Sequence, residues 1–286
     1  MHNLNPILLR ELRGRLRTPR SYWLLCGALL LVTTISMLLY SADYASMDGQ
    51  SSFNGTSGHT VFLALVFTAL IAVNVIAPMM AAGSIAGERE RQTFDLILLT
   101  QMRPIDIVLG KVAATMAYCL LFVTALTPLM AITFLIGGVD IGELAIQYII
   151  IMSSALLYTC IGVYWSTRTQ TAITATGYAF ATILSMLLVL PILVLVLPTL
   201  LPAIFAENTN TWMHIMLAIH PYASIIFTQE SLRTASIWSE AYIINGSTFV
   251  GPAMWLLTMA VSWFWSCTAV VLSIRRLTPD SGKGTS

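Results

Sequence analysis

Long apolar runs alternate with short polar segments along the whole chain. Six of these runs are long enough for a helix of about 20 residues to cross a lipid bilayer. We place the six spans at about Tyr22–Tyr40, Thr60–Ala82, Ile105–Ile132, Leu144–Tyr164, Ala172–Leu197 and Val250–Ile274. The pattern therefore predicts an all-α polytopic membrane bundle with six transmembrane helices, formed by residues 1–286 as a single domain.

The composition supports a membrane protein. Hydrophobic residues make up 57% of the chain and charged residues 9%, whereas soluble domains carry about 25% charged residues. A soluble fold of 286 residues would have too little polar surface to stay dispersed. The composition thus excludes a soluble enzyme or binding domain.

The positions of the basic residues predict the orientation in the membrane. With six spans, both termini lie on one side, and that side holds all but one of the 14 basic residues. The exception is Arg233. Because basic residues favour the cytosolic side, we expect a multi-pass protein of the cytoplasmic membrane with both termini and residues 83–104 in the cytosol.

The segments outside the spans also carry signals. Residues 1–20 predict a cytosolic helix on the lipid surface, because Asn5 can cap it, Pro6 suits its first turn and a leucine stripe follows. Residues 198–249 predict short helices at the outer interface or dipping into it. The polar residues 275–286 are expected to form a cytosolic tail.

The most informative segment follows the second span. Glu88, Arg89, Glu90 and Arg91 are four consecutive charged residues, which can pair with one another, with a partner, or with groups at helix ends. A short amphipathic helix is predicted next. Its signals are a Thr93 cap, an acidic first turn and one shared face; the residues concerned are Thr93, Phe94, Asp95, Ile97, Leu98 and Gln101.

The chain carries no pattern typical of catalysis or cofactor binding. The tail Asp280–Ser286 resembles a phosphate-binding loop only loosely, because Leu277 stands where the first glycine belongs and Gly284 replaces the Ser or Thr. No spacing of His, Cys, Asp or Glu indicates a metal site, and the span centres lack ionisable residues. We therefore expect no enzyme activity, no cofactor and no nucleic-acid partner on this chain, and membrane lipid around it.

Residues 88–111 resemble the transmembrane subunits of ABC-2 type ABC transporters. Members carry a stretch similar to E-[RK]-E-x-x-T-[LF]-[ED]-x-[LI]-L-x-[ST], then a proline turn and I-x-x-G-K. The matching positions here are Glu88–Glu90, Thr93–Asp95, Ile97, Leu98, Thr100, Pro104, Ile107, Gly110 and Lys111. The N-terminal segment from Asn5 and the run from His220 to Ala223 also resemble elements of such permeases. Gln92 and His220 depart from the pattern, since many members have Gly and Asn there.

The resemblance implies a function that the residues alone do not show. Residues 93–101 would be a coupling helix in a groove of a separate ATPase subunit, and Glu88–Arg91 would form a charged hub joining it to the second span. Two permease chains, identical or related, would pair above two ATPase copies. ATP and Mg²⁺ would bind the partner, and the chain would serve export. The substrate is not readable from the sequence.

Two other functions stay open from the sequence. One is a membrane scaffold or assembly factor that associates with an ATPase but does not translocate a substrate. The other is a membrane enzyme acting on lipid, which the absence of a convergent acid, base or metal set disfavours.

Overall fold

The computed structural model describes residues 14, 19–46, 56–94, 103–136, 139–201, 217, 220–234, 238–244 and 247–278. In chain order its elements are α1 (Pro19–Ser46), α2 (Thr56–Glu90), α3 (Pro104–Ile136), α4 (Ile141–Arg168), α5 (Ala172–Leu200), α6 (Pro221–Thr234), β1 (Ser239–Ile244), β2 (Ser247–Pro252) and α7 (Met254–Leu277). Apart from Gly14, Pro19 and Arg20, the predicted N-terminal helix lies outside these residues.

Five described helices are long and apolar enough to cross a membrane. They are α2, α3, α4, α5 and α7. Helix α1 carries a shorter apolar stretch at Leu25–Leu38. The prediction of a helical, multi-pass membrane bundle is therefore confirmed, while the count of six spans stays a prediction.

Helices α2 and α4 form the centre of the bundle, because they pack together more extensively than any other described pair. Their crossing requires a glycine. A Cβ atom at Gly162 would lie 2.7 Å from the Ala81 Cβ and 3.1 Å from both the Ala82 nitrogen and the Pro78 oxygen. Small residues let helix backbones approach closely in membranes, where packing rather than water exclusion drives association.

We expect Gly162→Ala to lower the free energy of unfolding by about 1–3 kcal/mol, because the added methyl group overlaps α2. Gly177→Ala is the matched control, since a Cβ there meets nothing within 4 Å and alanine favours the helix by up to about 1 kcal/mol. Thermal unfolding in mild detergent measures both. Equal melting temperatures for the two variants would contradict the close approach of α2 and α4.

The region 198–249 differs from the prediction of interfacial helices alone. It contains α6 and also an antiparallel hairpin, in which Ser239 pairs with Pro252 and Ile244 with Ser247. The prediction of short helices alone is therefore wrong for this region, while the bundle itself is helical. The intervening Asn245-Gly246 is the dipeptide that two-residue hairpin turns favour, and this signal was available in the sequence.

Two helix boundaries also differ from the prediction. The last predicted span begins at Val250, but Val250 belongs to β2 and α7 begins at Met254. Pairing in the hairpin fixes this start, because the Ala253 nitrogen donates to the Trp238 oxygen (3.1 Å). At the other end α7 continues to Leu277, so the tail predicted from residue 275 begins later.

His220 caps the start of α6. Its Nδ1 accepts a hydrogen bond from the Ala223 nitrogen (3.3 Å), so Nε2 carries the proton and donates to the Leu187 oxygen (3.2 Å). Burial lowers the pKa of His220, and the hydrogen bond to Leu187 opposes this shift. An asparagine side chain can accept the same hydrogen bond from the Ala223 nitrogen. Position 220 can therefore carry His or Asn without loss of the helix cap.

The lowered pKa of His220 predicts an acid-sensitive cap. The neutral ring is the form that accepts from Ala223, so its stabilisation is present above about pH 6.5 and is lost as the pH falls through the lowered pKa. We expect acidification to cost about 1 kcal/mol at this helix end. His220→Asn should remove that part of the pH dependence, as followed by thermal unfolding between pH 7.5 and 5. The same acid dependence in His220→Asn would contradict this assignment.

Candidate functional site

Helix α2 ends at the charged segment with a defined backbone motif. The Thr93 nitrogen donates to the Glu88 oxygen (2.9 Å) and the Gln92 nitrogen to the Arg89 oxygen (2.9 Å). Gln92 has a φ of 57°. This arrangement is a Schellman motif, whose left-handed position normally carries glycine. The turn therefore stops α2 and redirects the chain immediately before the predicted coupling helix.

Glu88 joins α2 to α3. Its Oε1 lies 2.7 Å from Lys111 Nζ, and the two side chains are 16% and 2% exposed. Lys111 lies about two turns into α3, where a lone ammonium group would be costly to bury. The second carboxylate oxygen, Oε2, is also buried and has no hydrogen-bond partner among the described residues.

Arg89 joins α2 to the end of α4. Its Nη1 donates to the main-chain oxygens of Thr167 (2.8 Å) and Thr169 (3.2 Å). The last carbonyls of a helix lack partners within it and carry partial negative charge. A guanidinium group satisfies them and complements the dipole of α4.

Glu90 joins α2 to the start of α5. Its Oε2 accepts a hydrogen bond from the Ala172 nitrogen (3.1 Å), at the first residue of α5. An acidic group is favourable at a helix N-terminus, where the first N–H groups have no partner in the helix. Glu90 is exposed, so this contact is the weakest of the three.

A further contact fixes α2 to α4 one turn earlier. The Ser166 hydroxyl oxygen accepts from the nitrogens of both Ile85 and Ala86, each at 2.9 Å. Ser166 is fully buried, so water does not compete for these bonds. The end of α2 is therefore fixed to α3, α4 and α5 within two helical turns. Within the charged hub predicted as Glu88–Arg91, the residues Glu88, Arg89 and Glu90 make the contacts with α3, α4 and α5.

Phe94 is buried, although the amphipathic pattern placed it on one face of the predicted helix together with Ile97 and Leu98. It is 8% exposed and packs in a core cluster with side chains from four helices. The Arg89 guanidinium carbon lies 4.9 Å from the centre of its ring. Periodicity identifies an apolar face but not what covers it, so the sequence could not show that Phe94 packs against its own bundle. Phe94 anchors the segment to the bundle.

The other predicted site residues divide into two groups. Arg91 and Thr93 are exposed, and the Thr93 hydroxyl donates to the Glu88 oxygen (3.2 Å), back toward α2. The remaining predicted residues lie outside the described part of the chain; they are Asp95, Ile97, Leu98 and Gln101. Whether Thr93 caps a helix over 93–101 stays a prediction.

Sequence reasoning missed most partners of the hub. Lys111 appeared only as part of a motif, and no sequence signal marked Ala172, nor Ser166, which binds α2 one turn before the hub. The partners of Arg89 are main-chain oxygens, which any residue supplies. The sequence indicated these partners only in a general way, through the expectation that Glu88–Arg91 can pair with groups at helix ends.

The comparison with protein families decides the identity of the bundle. The model of the ABC-2 family transporter proteins matches residues 6–272, which is nearly the whole chain. The chain belongs to the ABC-2 transporter family. No match was found among curated proteins.

Membership of the ABC-2 family makes this chain a membrane component of an ABC transporter. Such permeases generally associate with an ABC ATPase and are generally not catalytic themselves. The match includes the charged hub, α6 and most of α7. The hub therefore belongs to the transport domain itself.

Proposed function

We propose that this ABC-2 chain pairs with a second permease chain, identical or related, to form the membrane pathway of an exporter. Two copies of a separate ATPase subunit bind it from the cytosol. Helix α1 is the sixth span, and both termini are cytosolic. ATP and Mg²⁺ bind only the partner, so this chain supplies no catalytic group.

The observation that carries this proposal is the three-way attachment of the charged hub. Only the turn at residues 91–93 separates Phe94 from the end of α2. A force applied to the chain just after Phe94 is therefore passed directly to the end of α2. From there Glu88 contacts α3, Arg89 contacts α4 and Glu90 contacts α5. Helices are stiff along their axes, so a displacement at this end is delivered to four spans together. A transport domain driven from outside needs such a junction.

The proposed docking surface is the segment that follows this junction. Ile97, Leu98 and Gln101 would present one face of a helix to a groove in the ATPase subunit, with Asp95 in its first turn. Phe94 has a different role from its neighbours, because its buried ring fixes the segment to the bundle. Docking and anchoring are thus assigned to different residues.

The charge distribution supports a cytosolic position for the hub. Exposed arginines lie at this end of the described bundle, at the end of α2 (Arg91), the start of α3 (Arg103) and the end of α4 (Arg168). Arg275 and Arg276 occupy the last turn of α7. Since positive residues are retained on the cytosolic side, an ATPase there can reach the hub.

Affinity purification of the tagged chain in mild detergent tests the proposed function. We expect a P-loop ATPase to copurify in stoichiometric amount with the wild type and to be lost with Leu98→Asp. Gln170→Asp is the matched control, because it adds the same charge to the exposed turn between α4 and α5. Phe94→Asp is unsuitable as a probe, since it would disrupt a buried contact. Retention of the ATPase by Leu98→Asp would contradict the docking assignment, and a stable complex without any ATPase would favour a scaffold.

Cysteine accessibility tests the orientation separately. A cysteine introduced at position 49 should react with a membrane-impermeant reagent added from outside, and one at position 101 only from the cytosolic side. The reverse pattern would contradict the proposed topology.

A further inference from the structure

A groove runs between α5 and α7 in the half of the bundle that carries the charged hub. Both helices pack on α4, but over their described length they make almost no contact with each other, so α4 forms the floor between them. The groove has a volume of about 490 Å³, which lies within the range of about 300–1,000 Å³ typical of ligand pockets. All three helices line it, for example through Leu157, Trp165, Thr182, Leu190, Trp265 and Leu272.

The interior of the groove suits a hydrocarbon chain. None of its lining residues is charged. The hydroxyls of Thr182, Ser185 and Thr268 each donate to a carbonyl of their own helix, at 2.8, 2.8 and 2.9 Å. The Trp165 Nε1 donates to the Thr182 hydroxyl (2.8 Å). These donors are already used within the protein, so a polar solute would lose its water without gaining them.

Three arginines lie at the hub end of this groove. Arg168 follows Tyr164 by one turn on the same face of α4, and its guanidinium carbon lies 4.7 Å from the centre of the Tyr164 ring. Arg275 and Arg276 follow Leu272 by one turn on α7. All three arginines are exposed, and none forms an ion pair with a carboxylate among the described residues. Their positive charge is therefore available to an anion at the open end of the groove.

The groove is as long as one leaflet of a bilayer is thick. Leu157 lies 11 residues before Arg168 on α4, as Trp265 does before Arg276 on α7. At a helical rise of about 1.5 Å per residue, each separation is about 16 Å. The hydrocarbon core of a bilayer is about 30 Å thick, so one leaflet contributes about 15 Å. A lipid chain that enters the groove can thus keep its headgroup level with the arginines.

We propose that this groove binds one anionic phospholipid of the adjacent leaflet, with an acyl chain between α5 and α7 and the phosphate among Arg168, Arg275 and Arg276. The stacked rings of Trp165 and Tyr178, 5.0 Å apart, lie close to the arginines, where aromatic residues meet the headgroup region. The lipid fills the gap between α5 and α7 at the end of the bundle where the hub contacts α4 and α5. That this leaflet is the cytosolic one rests on the proposed function.

Native mass spectrometry of the full chain, titrated with phosphatidylglycerol in a neutral detergent, tests the headgroup site. We expect one molecule to bind about tenfold more tightly than phosphatidylcholine with the same acyl chains. Arg168→Gln combined with Arg276→Gln should bring the two affinities within about twofold, because most of the attraction for the anionic headgroup is removed. The matched control combines Arg91→Gln with Arg103→Gln. It removes two exposed arginines outside the helices that line the groove and should keep the preference.

A second pair of variants tests the groove itself. Ser185→Phe places a ring in the space that the acyl chain needs. It should weaken phosphatidylglycerol binding at least about tenfold, because lost burial of only about two CH₂ groups has this effect. Ala181→Phe is the matched control, since it adds a similar ring to an exposed position one turn away on α5 that does not line the groove. Its affinity should equal that of the wild type.

Each outcome decides the proposal. Equal affinities of the wild type for the two lipids would overturn it, as would loss of the preference in the control at positions 91 and 103. Wild-type affinity in Ser185→Phe would also overturn it, because the lipid would then bind the arginines without the groove. If a variant does not fold, Arg168→Gln alone or Ser185→Leu carries the same comparison. The assay contains no ATPase, so its failure would leave the docking assignment untouched, and loss of that assignment would leave the lipid site intact.

Discussion

Lys111→Met is expected to lower the free energy of unfolding by about 3 kcal/mol, because it leaves the largely buried Glu88 carboxylate without its cation. The Glu88 carboxylate already has one oxygen with no hydrogen-bond partner among the described residues. Removal of Lys111 would also deprive the other oxygen, Oε1, of the ammonium group that it contacts. Chemical or thermal unfolding in mild detergent, read by helical circular dichroism, measures the loss.

Two further variants separate the ion pair from a general charge effect. Arg103→Met removes the same charge from an exposed position just before α3 and should cost less than about 1 kcal/mol. Adding Glu88→Gln to Lys111→Met should restore much of the stability, since no charge is then buried alone. The account of the pair would be wrong if Lys111→Met were as stable as Arg103→Met.

Arg89→Met is expected to separate ATP hydrolysis from movement of the bundle. It removes the hydrogen bonds to Thr167 and Thr169 and the contact with Phe94, with an expected loss of about 2–3 kcal/mol of stability. The docking segment is unchanged, so the ATPase should still bind. ATP turnover by the purified complex should persist, while the nucleotide-dependent change in hydrogen exchange of the α4 amides that we expect for the wild type is lost.

Arg91→Met is the matched control for Arg89, because it removes an equal charge from the adjacent exposed residue. It should retain both ATPase binding and the nucleotide response. Arg89→Lys should recover only part of the response, since an ammonium group lacks the planar fork that reaches two carbonyls. A full response in Arg89→Met would show that α4 is not driven through the hub.

The sequence predicted the spans well because the signal for a transmembrane helix is local. Long apolar runs and flanking charges locate α2 to α5 and α7, since a bilayer crossing requires about 20 apolar residues wherever it occurs. The charged segment was also identified locally, as four charges directly after an apolar run. The Asn245-Gly246 turn could have been identified in the same way and would have predicted the hairpin.

The contacts of the hub could not be predicted because they join residues that are distant in the sequence. Arg89 meets carbonyls about 80 residues away, and Glu90 meets a backbone nitrogen 82 residues away. Neither partner depends on its own side chain, so no residue type marks it. Phe94 shows the complementary problem, since an apolar residue in an amphipathic pattern can face either a partner or its own fold.

Site-specific photo-crosslinking from position 98 in intact membranes tests the central claim most directly. A photoreactive residue in place of Leu98 should give an adduct with a P-loop ATPase, identified by mass spectrometry, whereas the same residue at position 49 should give none. The adduct should persist in Arg89→Met, because docking precedes transmission through the hub. No ATPase adduct from position 98, or an ATPase adduct from position 49, would contradict the account of this chain as a permease coupled through residues 93–101.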